Sequence, residues 1–135
     1  MQLSTIRDLL LLVMASSAYA ARTGCNDGEV AVGTSQTCGI GSPRGGPSCN
    51  DVQAAIYAND CGIINRSDHE DPCAGGPGNP GVKWIHPGTV GCTADGTPSF
   101  IQTEGGFFGN CRRVNSNCSP APFIFQFASW CCPRL

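Results

Sequence analysis

The side chains best suited to acid–base chemistry in this chain are His86, Glu104, Arg112 and Arg113. An imidazole and a carboxylate can pass protons to and from a substrate, and a guanidinium can hold an anion. A small ribonuclease-like hydrolase needs that set. His86, Glu104 and Arg112 or Arg113 fall on or beside neighbouring strand candidates, so the trio is conceivable. Little else supports catalysis. The two histidines are His69 and His86, and neither a G-x-S-x-G elbow nor an H-E-x-x-H motif is present. A chain of this size offers such a trio by chance. The sequence therefore reads as non-enzymatic, with no catalytic residue assigned and a small secreted hydrolase or ribonuclease kept as an alternative.

Two further groups invite a ligand. Asp68-His69-Glu70-Asp71 sets three acids around one histidine. Consecutive residues cannot all converge on one ion, so this reads as a solvated loop. The glycines of Pro72 to Gly81 are broken by prolines and lack the Lys-Ser/Thr step of a phosphate cradle. Asn79-Pro80-Gly81 suits a type II turn. No C-x-x-C pair exists to hold zinc. No metal and no cofactor is expected.

Contact chemistry is better represented. Gly105-Gly106-Phe107-Phe108-Gly109 places two phenylalanines side by side, and Arg112 and Arg113 follow Cys111. Neighbours on a strand face opposite ways, so one phenylalanine is expected to point outward. An exposed aromatic beside arginine is the composition of interface hot spots. Phe107, Phe108, Arg112 and Arg113 are the candidate binding residues.

The elements that must position these groups are small and cysteine-rich. Arg7, the apolar run Leu9 to Ala15 and Ala18-Tyr19-Ala20 read as a secretory leader over residues 1–20, cleaved before Ala21. Residues 21–135 then form a single domain, secreted and extracellular, with no stable membrane anchor. Ten cysteines fall in it: Cys25, Cys38, Cys49, Cys61, Cys73, Cys92, Cys111, Cys118, Cys131 and Cys132. An even number in a secreted context implies disulfides, with about 945 pairings open. Cys131 and Cys132 are expected to bond to different segments, since adjacent strand residues point apart. The net charge of −2 and the lack of a basic stripe argue against nucleic acid. A membrane-active toxin would be cationic or carry a basic amphipathic helix, and neither is present.

Pro122 to Pro133 reads as the organising strand, apolar on both faces and covered on both, with Phe123, Phe125 and Phe127 sharing a face with Ser129 and Cys131. Short strands are expected at 29–32, 36–40, 82–86, 89–93, 98–103, 106–110 and 112–114. One helix is expected over residues 48–62, with Ser48 and Asp51 as a capping box and Gly62 at its end. The predicted fold is a small disulfide-rich α+β domain: an antiparallel β-sheet with that helix packed on it. Asn65-Arg66-Ser67 is an N-glycosylation acceptor pattern, expected in an exposed turn; Asn117-Cys118-Ser119 also fits, but a bridge at Cys118 is expected to hinder it.

A leader followed by a short mature chain with ten cysteines and no catalytic motif resembles the small secreted cysteine-rich proteins of filamentous fungi, many of them effectors. The cysteine spacing differs from that of killer toxins and hydrophobins. The resemblance implies a monomer that binds a host extracellular protein or a cell-wall polysaccharide. Beside the small hydrolase, the sequence also leaves room for an antimicrobial or killer-type protein toxin and for a carbohydrate-binding module.

Overall fold

The computed structural model describes residues 22–40, 46–74 and 82–135. The leader with its cleavage site and the Asn79-Pro80-Gly81 turn lie outside the described residues.

The described chain is all-β. A six-stranded antiparallel sheet is built around β1 (Val30–Ile40), which pairs with β2 (Pro47–Cys49), β3 (Gln53–Ala58) and β9 (Ile124–Cys132). β4 (Ile63–Arg66) lies outside β3, and β8 (Arg112–Asn117) lies outside β9. A second sheet has the order β5 (Thr89–Cys92), β6 (Pro98–Thr103), β7 (Gly106–Gly109). β1 runs through both short strands expected in its place, and residues 82–86 contribute only a bridge from Trp84 to Ser67.

The helix expected over 48–62 does not form, so the α+β class gives way to a two-sheet β fold. Ser48 lies in β2 and Gln53–Ala58 is a strand between β1 and β4. Ala54, Ala55, Ile56 and Tyr57 are all fully buried. Four consecutive buried residues need cover on both faces, which an inner strand receives. Such a short apolar run fits a buried strand as well as a helical stripe. Here pairing decides: β3 has a strand on each side, and Cys38–Cys49 staples its approach.

The two faces of the large sheet have separate cores. Val30, Val32, Ile56 and Cys132 pack against Val90, Ile101 and Phe108 of the second sheet. Ala31, Ala55, Tyr57, Ala128 and Cys118 form the core of the opposite face, where Cys25 and Val114 also pack. Cys131 bridges to Cys25 and Cys132 to Cys111, so the adjacent cysteines anchor β9 to different segments. Cys61–Cys118 and Cys73–Cys92 complete five bridges, and no cysteine is free.

β9 is not covered along its whole length. Its pairing with β1 slips between Val32 and Gly33, so that Val32 faces Trp130 while Gly33 faces Ala128. Ser129 is the extra residue of this bulge. One inserted residue moves the following side chains to the other face. Phe125 and Phe127 therefore share the Trp130 and Cys132 face, not that of Cys131. They lie beyond the second sheet's cover: Phe123, Phe125 and Phe127 are 43%, 42% and 40% exposed.

Candidate contact surface

The β6–β7 hairpin sorts its side chains by alternation. Ile101 and Phe108 face each other and are buried in the core, Phe108 with 5% exposure. Phe100, Gln102 and Phe107 take the outer face. The Phe107 ring stacks on Phe100 with centroids 5.8 Å apart and planes at 28°. An offset aromatic pair of this kind adds about 0.5–1.5 kcal/mol beyond area burial.

The C-terminus extends this face. Gly109 N–H donates to Pro133 O at 2.9 Å, and Leu135 N–H donates to Phe107 O at 3.0 Å. Arg134 donates from Nη2 to Gly105 O at 2.6 Å and stands 5.7 Å from the centre of the Phe108 ring. Leu135 lies over Gly109, where a β-carbon would come within 3.2 Å of its methyl groups. Phe107 is 52% exposed and Leu135 66%. Phe107, Phe100 and Leu135 thus form one apolar patch, held by backbone hydrogen bonds, while Arg134, bridged to Phe108, lies on the opposite side of the hairpin.

Only Phe107 of the four candidate binding residues lies on this face. Phe108 belongs to the core. Arg112 and Arg113 sit on the other sheet, where they pair with Cys131 and Trp130 and so point to opposite faces. Arg112 Nη1 donates to both oxygens of Glu29, at 2.8 and 2.7 Å. Burial pushes the Glu29 carboxyl up, but the hydrogen bond from Arg112, the Asn26 N–H and the Arg112 charge together hold it below its usual range. Arg113 lies 5.1 Å from the Trp130 ring centre. The four residues do not make one surface. Phe100 and Leu135 were the residues missed. The short turn at Glu104-Gly105 fixes the register that sets Phe100 diagonal to Phe107, within reach of an aromatic ring.

The acid–base trio is split as well. His86 and Glu104 line one cleft of about 170 Å³ with Ile64, Asn65, Pro87 and Thr103, and neither arginine is there. Both residues are exposed. In the 68–71 segment, Asp68 accepts from Lys83 N–H at 2.9 Å and Asp71 from Cys73 N–H at 2.8 Å. These carboxylates cap backbone rather than surround His69. Cys25, Glu29 and Cys131 cluster within 4.8 Å, but the two sulfurs are bonded to each other and Glu29 is held by Arg112. That cluster offers no thiolate to a metal.

Asn65 does not lie in an exposed turn. It sits in β4, 2% exposed. Its Nδ2 donates to His86 O and its Oδ1 accepts from His86 N–H, each at 2.9 Å. Asn117, of the second acceptor pattern, is exposed at the end of β8. Among the described residues no helix is long and apolar enough to cross a membrane.

Comparison with protein-family profiles, curated proteins and solved structures returns no match for this chain.

Proposed function

We propose that this protein works outside the cell as a non-enzymatic, effector-like binding protein, and that a host extracellular protein docks on the face made by Phe100, Phe107 and Leu135. Five disulfides are typical of extracellular chains, and they support the compartment. The docking reading rests on one observation: the most exposed phenylalanine in the described chain is stacked on a second and flanked by an exposed leucine. An ordered aromatic loses little side-chain entropy on binding, and aromatic residues are favoured at hot spots.

The test is retention of extracellular proteins and of wall polysaccharides on the immobilised, oxidised protein, beside a Phe107→Ala variant with the same fold. The proposal expects a protein that the parent retains and the variant loses. Retention of a polysaccharide instead would favour a carbohydrate-binding module. Equal retention of every partner by both forms would remove this face from consideration.

A further inference from the structure

Two exposed phenylalanines on β9, Phe125 and Phe127, remain outside the proposed docking face, and the strand beside them carries an acceptor pattern for N-glycosylation. Asn117 pairs directly with Phe127 in the antiparallel β8–β9 ladder. Directly paired residues project to the same face, with β-carbons about 4.5–5.5 Å apart. Among the described residues β8 is an edge strand, with no strand paired on its outer side. Asn117 is exposed. Its Oδ1 accepts from Ser119 N–H at 2.8 Å, while its Nδ2 has no hydrogen-bond partner among the described residues.

We propose that Asn117 is an N-glycosylation acceptor, and that its glycan lies over Phe127 and the neighbouring Phe125. The transfer is a substitution at the anomeric carbon of a sugar carried on a lipid diphosphate, the donor class of the secretory pathway. The bond from that carbon to the diphosphate oxygen breaks, a bond to Nδ2 forms, and the lipid diphosphate leaves. Nδ2 gives up one of its two protons to a base. Cys118, the middle residue of the pattern, is 1% exposed and bridged to Cys61. Transfer therefore precedes closure of that bridge, while the segment is still extended. The finished fold then accommodates the product, because Asn117 stays at the surface.

Asn65 presents the opposite case. A sugar on its Nδ2 would have to emerge from a residue that is almost fully enclosed, beside the peptide of His86. A chain modified there does not reach this fold. The apolar faces of sugar rings also suit the β9 row. Contiguous exposed apolar surface is uncommon on monomers unless something covers it.

The experiment expresses the full chain in a eukaryotic secretory host and takes folded, oxidised protein from the medium. Enzymatic release of N-glycans in heavy-oxygen water marks each glycosylated asparagine as a labelled aspartate, read by peptide mass spectrometry. Label is expected at residue 117 and absent at residue 65. Asn117→Gln should lose the glycan mass and bind more of an apolar dye, and adding Phe127→Ser should reverse that gain. Ser119→Thr keeps the acceptor pattern by a different hydroxyl and should keep the glycan. Unlabelled residue 117 in folded protein, or label at residue 65, would overturn the assignment. A glycan at Asn117 whose loss leaves dye binding unchanged would overturn its placement over Phe127.

Discussion

Gly33 and the carbonyl group of Phe127 meet so closely that a β-carbon on Gly33 would overlap the Phe127 oxygen. The contact lies where β9 bulges at Ser129, and it ties the course of the outer half of β9 to a residue without a side chain. Glycine within a strand commonly marks such an approach of one backbone to another.

Gly33→Ala should therefore force β1 and β9 apart at the bulge. Overpacking of this kind costs about 3 kcal/mol, at the upper end of the usual range. Denaturant unfolding of the oxidised protein measures it. A variant as stable as the parent would show that the strands do not approach as described.

The bridges should differ in worth. Cys25–Cys131 closes a separation of 106 residues and Cys38–Cys49 one of 11. Loop-closure entropy grows with the logarithm of that length, which makes the longer bridge worth about 2 kcal/mol more. Comparing the double alanine variants Cys25→Ala/Cys131→Ala and Cys38→Ala/Cys49→Ala by thermal unfolding tests the ranking. Equal losses, or a larger loss at the short bridge, would contradict it.

Tyr57 provides a pH test. Its hydroxyl donates to Thr34 O at 2.5 Å. Burial pushes its pKa up from 10.0 to about 12, against lowering contributions from Ser35 and Arg66. A raised folded-state pKa means stability that is fully present below pH 10 and is lost as pH rises through about 12. The other tyrosine, Tyr19, lies in the expected leader, so tyrosinate absorbance of the chain without it reports Tyr57. Its midpoint should fall near the higher value and coincide with unfolding. Ionisation near the ordinary value in folded protein would refute the burial.

Much of the second half was legible because turn residues punctuate it. Pro87-Gly88, Asp95-Gly96 and Gly105 separate strands close to where β5, β6 and β7 begin and end. The first half misled because Ala54 to Tyr57 is apolar without a period that separates helix from inner strand. The outward turn of Phe125 and Phe127 depends on a bulge that local pattern does not mark. The fate of Arg112 depends on Glu29, 83 residues away in the chain. Such long-range pairs are invisible to spacing. The outward Phe107 follows from strand alternation alone, but its stacking on Phe100 needs the hairpin register.

Docking through the outer face of the β6–β7 hairpin is tested most directly by affinity. For the extracellular protein retained by the parent, the dissociation constant should be measured with folded Phe107→Ala and Phe125→Ala variants. A hot-spot loss of about 2 kcal/mol predicts roughly 30-fold weaker binding for Phe107→Ala. Phe125→Ala, on the separate β9 row, should bind like the parent. Unchanged affinity for Phe107→Ala, or a loss confined to Phe125→Ala, would contradict docking on this face.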